Sequence, residues 1–144
     1  MMLSLKLLLY ISIIVYAADS LPSMNIPSMS ASGCNNHDIH DESTITSPYY
    51  PHHYPLSTTC IYTIFAPENK KVHLNFGSIR TEDCCDYLEV FDGSNIKSKR
   101  LSKFAGSFEE NEKSFESSTN SLTLRFYSDL TVTYNGFTAN ITFV

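Results

Sequence analysis

The sequence predicts an all-β chain folded as an antiparallel β-sandwich. Apolar residues recur at every second position in five short runs, the signature of strands with one face on a core and one toward water. Turn chemistry separates runs at Pro67-Glu68-Asn69, Asp92-Gly93 and Asn135-Gly136. No segment combines a helical apolar period with helix caps; the longest candidate, 109–118, carries Phe115 as its single large apolar residue and reads as loop.

Taken in order, residues 1–17 read as a secretory signal peptide. Lys6 ends a short basic segment, Leu7 to Tyr16 is predominantly apolar, and Ala17 offers a small residue for cleavage. That run is shorter than the ~20 residues needed to span a bilayer, so no membrane anchor is expected. Residues 18–33 are rich in Ser, Pro and small residues and read as a disordered lead-in. Residues 34–144 form the folded domain, long enough to bury its own core.

Within that domain Cys60, Tyr62, Ile64 and Ala66 share a face of the first run, and Val72, Leu74 and Phe76 a face of the second. Leu88 and Val90 follow, then Leu122, Leu124 and Phe126, then Phe137, Ala139, Ile141 and Phe143. In the last run Asn140 begins an Asn-Ile-Thr glycosylation sequon, and the period puts it on the face opposite Phe137, Ala139 and Ile141, where a sugar has room.

The stretch 82–93, EDCCDYLEVFDG, joins a candidate cation site to a core strand. Glu82, Asp83 and Asp86 crowd carboxylates ahead of it, and Cys84 and Cys85 are adjacent. The formal net charge is −5, and the leader holds one Lys and no carboxylate, so a secreted product is more acidic still. Such a balance argues against nucleic acid as a partner and favours cations or cationic groups. No nucleophile elbow, zinc-protease motif or phosphate-cradling Gly loop is present, and five Gly in all leave little room for one, so the chain reads as a binding protein rather than an enzyme.

These residues resemble a CUB domain, the extracellular jelly-roll sandwich of complement proteases, tolloid-type proteases and spermadhesins. Ile45-x-Ser47-Pro48-x-Tyr50-Pro51-x-x-Tyr54-Pro55 is similar to the family's opening motif, and Cys60-x-Tyr62-x-Ile64 to its next strand, with Tyr for the usual Trp. Asp86-Tyr87-Leu88-Glu89-Val90-x-Asp92-Gly93 resembles the central signature. Asn120-Ser121-Leu122-x-Leu124-x-Phe126-x-Ser128-Asp129 and Gly136-Phe137-x-Ala139 complete the set, so the resemblance covers nearly all of 34–144. In size the chain is like a single-domain spermadhesin.

The resemblance implies a Ca²⁺ site at one end of the sandwich, with Glu82, Asp86 and Asp129 as ligands, Tyr54 in support and Thr131 as a carbonyl donor. The chemistry agrees, because Ca²⁺ takes six to eight oxygens and prefers carboxylates and carbonyls. In the family's Ca²⁺-binding members a basic side chain of the partner reaches those same carboxylates, which implies an extracellular protein with exposed Lys or Arg as ligand. A spermadhesin-like glycan ligand is the alternative, for which Lys97, Lys99, Arg100 and Lys103 form a basic run; as a bare charge run it reads as solvated loop.

The resemblance also implies a Cys34–Cys60 disulfide, which takes Cys34 away from any zinc reading of Cys34, His37 and His40. The family's second disulfide cannot form, because the matching Phe-Cys-Gly segment is Phe104-Ala105-Gly106. Cys84 and Cys85 therefore either close a ring between neighbours, bridge to another chain as in a cross-linked structural subunit, or remain thiols. Neighbouring Cα atoms lie ~3.8 Å apart across a trans peptide, below the usual disulfide range. The loop from Glu82 to Asp86 is also shorter than the family's, so its backbone must differ.

Overall fold

The structure, a computed structural model, describes Cys34 and residues 38–144. The expected signal peptide and lead-in, and His37, lie outside the described residues. Ten strands follow in order: β1 (Asp38–Ile39), β2 (Ser43–Thr46), β3 (Thr59–Phe65), β4 (Val72–Arg80), β5 (Tyr87–Asp92), β6 (Lys99–Phe104), β7 (Ser107–Phe108), β8 (Ser114–Glu116), β9 (Ser121–Tyr127) and β10 (Gly136–Phe143).

They form two facing sheets. The first has the order β1-β3-β9-β5-β6; the second has the order β2-β10-β4-β7, with β8 also on β4. Every pairing is antiparallel except β1 with β3. The alternating runs supply the core as the period requires: Cys60, Tyr62 and Ile64 of β3, Leu88 and Val90 of β5, and Leu122, Leu124 and Phe126 of β9 are buried against Val72, Leu74, Phe76, Phe137, Ala139 and Ile141 of the other sheet. Phe143, at the strand end, is only partly buried but packs on the same cluster. Tyr62 of β3 donates its hydroxyl to the Thr46 carbonyl of β2 at 2.7 Å, so it ties the two sheets while its ring meets Phe137 edge-on.

Three local features depart from the sequence reading. In β4 the inward positions run Val72, Leu74, Phe76 and then Ile79, because the register against β10 shifts between Phe137 and Ala139. A bulge at Gly77–Ser78 resets the alternation, and Gly77 is needed there: a Cβ would meet Thr138 Cγ2 at 2.6 Å. The segment 109–118, expected as loop, contains β8, which pairs with β4 and lays Phe115 against Phe104 and Phe76. Its three residues are too few for any periodic signal. The basic run is likewise not all loop: Lys97 lies in the turn before β6, but Lys99, Arg100 and Lys103 lie on β6, at the edge of the first sheet.

Candidate functional site

The site is made where three strand ends meet. Glu82 follows β4, Asp86 precedes β5 and Asp129 follows β9, and the register that pairs Tyr87 with Tyr127 sets Asp86 beside the β9 exit. Asp86 is fully buried, and both of its oxygens are engaged: Oδ1 accepts the Asp129 backbone N–H at 2.7 Å and Oδ2 accepts the Tyr54 hydroxyl at 2.6 Å. The same hydroxyl accepts the Glu82 N–H at 3.2 Å. Burial, and then the hydrogen bond to Asp86, push the Tyr54 hydroxyl far above its ordinary range, so it stays a donor. Tyr54 is itself buried, with its ring edge-on to Phe126 at 5.1 Å.

Asp129 is oriented by Thr131, whose N–H and hydroxyl reach Oδ1 at 2.8 and 3.1 Å. Thr131 thus enters through its donors, positioning a carboxylate. Glu82 is different. Its Oε2 is buried and has no hydrogen-bond partner, and desolvation together with the charges of Asp129 and Asp86 raises its pKa. One oxygen from each of Glu82, Asp86 and Asp129 lies within 4.8 Å of the others.

That geometry fits one hard cation. Two oxygens bound to the same Ca²⁺ at 2.3–2.6 Å can be no more than about 5 Å apart. The donor set is entirely oxygen, and an orphaned buried carboxylate oxygen is a group that burial makes costly unless it finds a positive partner. Glu82, Asp86 and Asp129 are the residues that would hold the ion.

The short loop between Glu82 and Asp86 is closed by a Cys84–Cys85 disulfide, with Cα atoms 3.7 Å apart. Of the three states open to this pair, the ring between neighbours is the one present, and it leaves neither sulfur for a bridge to another chain. Cys34 and Cys60 are joined as the resemblance implied. Where the second family disulfide is absent, hydrogen bonds connect the same two segments: Thr81 N–H donates to the Gly106 carbonyl at 3.0 Å, and Gly106 N–H to Thr81 Oγ1 at 2.8 Å. Gly106, at φ 97°, also admits Asp83, whose Oδ1 would lie 2.4 Å from a Cβ.

Asn140 is exposed, opposite the buried Ala139 and Ile141, and its Oδ1 accepts the Thr44 hydroxyl at 2.7 Å. The basic run is dispersed: Arg100 binds Glu89 at 2.7 Å, and Lys103 Nζ sits 3.6 Å from the centre of the Tyr87 ring. Glu89, on the outer face of β5, is 1% exposed because Arg125 of β9 also clasps it through Nε and a terminal nitrogen. This ionic cluster was missed in the sequence, where Arg100 lies on the next strand and Arg125 36 residues away. An Arg at an outward position of a neighbouring core strand is the signal that could have found it.

The CUB domain family model matches residues 34–141. Rat cubilin is 38% identical over 121 residues, which are 78% of this chain and 3% of that protein. Among solved structures, the full extracellular region of zebrafish Gpr126/Adgrg6 is 29% identical with a TM-score of 0.67, covering 76% of this chain and 14% of that one. The MASP-1 CUB2 domain bound to Ca²⁺ is 29% identical with a TM-score of 0.64, covering 75% of this chain and 98% of that one. The chain thus spans only a small part of the curated relative and nearly the whole of a single solved domain, and that solved domain holds a Ca²⁺ ion. With its two-sheet sandwich, its Cys34–Cys60 bond and a family match from Cys34 to Ile141, the chain belongs to the CUB domain family.

Proposed function

We propose that this chain is a secreted CUB module that binds Ca²⁺ through Glu82, Asp86 and Asp129 and thereby recognises a Lys or Arg of an extracellular protein ligand. The observation that carries this reading is the Glu82 carboxylate, drawn within 4.8 Å of two other carboxylates with one oxygen buried and unpartnered. Bound Ca²⁺ would supply the positive charge that offsets the repulsion. The chain's own residues do the rest. Tyr54 and the Asp129 N–H hold Asp86 in one orientation, and Thr131 turns Asp129 into the cluster. The carboxylates so ordered present a negative centre that a compact ammonium or a guanidinium can meet directly. The Ca²⁺-bound MASP-1 CUB2 domain is an independent support for the metal.

Isothermal calorimetry of the chelated protein with Ca²⁺ tests this reading. One saturable site is expected, with a Kd of about 10⁻⁴ to 10⁻³ M, and Asp129→Ala abolishes it. At ~1 mM Ca²⁺ such a site adds about 0.4 to 1.5 kcal/mol of stability, so the fold survives chelation. Absence of both heat and thermal shift in the wild-type protein would overturn the metal site.

A further inference from the structure

Two loops run side by side at the acidic end, one between β2 and β3 and one between β9 and β10. Tyr54 N–H donates to the Tyr134 carbonyl at 3.0 Å, Ser57 N–H to the Asp129 carbonyl at 2.5 Å, and Asn135 Nδ2 to the Pro51 carbonyl at 2.6 Å. The hydrogen bonds make the two loops one surface. On it stand Tyr49, Leu56, Leu130, Val132 and Tyr134, five of the eight large apolar side chains most exposed among the described residues. Leu130 is 77% exposed. Single exposed apolar residues need no explanation, whereas several gathered on two hydrogen-bonded loops point to an interaction surface.

Tyr49, Ser57 and Val132 hold positive φ values of 61°, 50° and 32°. For a β-branched residue such as Val132 that conformation is unfavourable. Where β3 and β9 meet these loops, a hollow of about 410 Å³ is lined by Ser57, Thr59, Tyr127, Ser128, Asp129 and Leu130. It places a carboxylate and an exposed apolar side chain on the same wall. Neither loop contains Lys or Arg, and nor does the segment 82–86, so the surface has no lysine or arginine of its own to answer Glu82, Asp86 and Asp129.

The geometry points to these two loops as the docking surface for a protein segment in which a Lys or Arg stands beside bulky apolar side chains, the cation on the carboxylate centre and its neighbours on Leu56, Leu130, Val132 and Tyr134. This inference rests on the acidic receptor proposed above and adds that the apolar rim selects among basic ligands. Charge complementarity identifies the occupant: the centre is anionic and the rim is apolar. A membrane is the poorer fit, since anionic headgroups are met by Lys and Arg, which both loops lack.

The test is selection of random twelve-residue peptides displayed on phage against the immobilised secreted protein in Ca²⁺, with elution by chelator. Enriched peptides are expected to share a Lys or Arg next to a bulky apolar residue. In fluorescence anisotropy, the Leu130→Ser/Val132→Ser variant, and separately Leu56→Ser, should weaken them about tenfold. All three side chains are exposed, so Ca²⁺ calorimetry and circular dichroism should be unchanged. Basic peptides with no apolar preference, or with equal affinity for the variants, would overturn the rim while leaving the Ca²⁺ centre standing. A protein that takes up no Ca²⁺ overturns the receptor and the rim together. Capture on phosphatidylserine vesicles in Ca²⁺, without peptide enrichment, assigns the surface to membranes and overturns the inference.

Discussion

The Tyr54 hydroxyl and the Asp86 carboxylate lie 2.6 Å apart in the interior of the sandwich end, and the same hydroxyl accepts the Glu82 N–H. One oxygen thus fixes the positions of two candidate metal ligands that flank the shortened loop.

Replacing that hydroxyl isolates its contribution. Tyr54→Phe keeps the ring against Phe126 and removes a donor from buried Asp86 and an acceptor from Glu82 N–H. A loss of about 1–3 kcal/mol is expected in urea unfolding of the metal-free protein, with weaker Ca²⁺ uptake by calorimetry. An unchanged midpoint and unchanged uptake would show that the hydroxyl positions nothing.

Glu82 sets an unusual pH dependence. Its carboxyl pKa is raised from 4.5 in the folded state by desolvation and by the charges of Asp129 and Asp86. The folded state therefore holds the proton more tightly than the unfolded one, and this group's contribution to stability falls as pH rises above 4.5. In thermal melts of the chelated protein, Glu82→Gln should gain on the wild type from acid to neutral pH and should lose Ca²⁺ binding. A constant difference across that range would mean the repulsion is absent.

The two disulfides should separate stability from the site. Cys34–Cys60 spans 26 residues, and its loss, as Cys34→Ser/Cys60→Ser, should cost about 3 to 4 kcal/mol in the chain-entropy model. Cys84–Cys85 closes a loop of neighbours, for which the same relation gives only about 1 kcal/mol. Cys84→Ser/Cys85→Ser should thus unfold near the wild-type midpoint while binding Ca²⁺ more weakly, because it frees the backbone between Glu82 and Asp86. Calorimetry beside denaturant titration distinguishes the two effects, and wild-type Ca²⁺ affinity in this variant would deny the ring any part in the site.

Glu89 ranks its two arginines. Arg125→Ala should cost about 3–5 kcal/mol, since it strips the more buried guanidinium from a carboxylate that is almost wholly enclosed. Arg100, half-exposed, should cost nearer ~1 kcal/mol. Denaturant unfolding of both variants checks the order, and equal losses would refute it.

Period-two alternation and turn residues were legible in the chain itself, and the set Glu82, Asp86 and Asp129 was legible only through the resemblance of its motifs to a family. β3, β5, β9 and β10 each turn one apolar face to the core, and that face writes a local pattern. Short edge strands such as β7 and β8 write none, and the Gly77–Ser78 bulge hides Ile79 by shifting the pattern by one residue.

By itself the sequence determined the sandwich and its core faces, because these follow from residue chemistry at fixed local spacing, whereas the grouping of Glu82, Asp86 and Asp129 was implied by the family resemblance. Only the tertiary structure decided that Tyr54 links Asp86 to Glu82, that Cys84 bonds to Cys85, that Glu89 is shared between Arg100 and Arg125, and that Leu56 and Leu130 stand on one rim. Apart from the cysteine pair, these are contacts between separate strands and loops, set by strand register and loop docking. The cysteine pair is adjacent, but sequence distance alone allowed three states, and the conformation of the loop between Glu82 and Asp86 selected one.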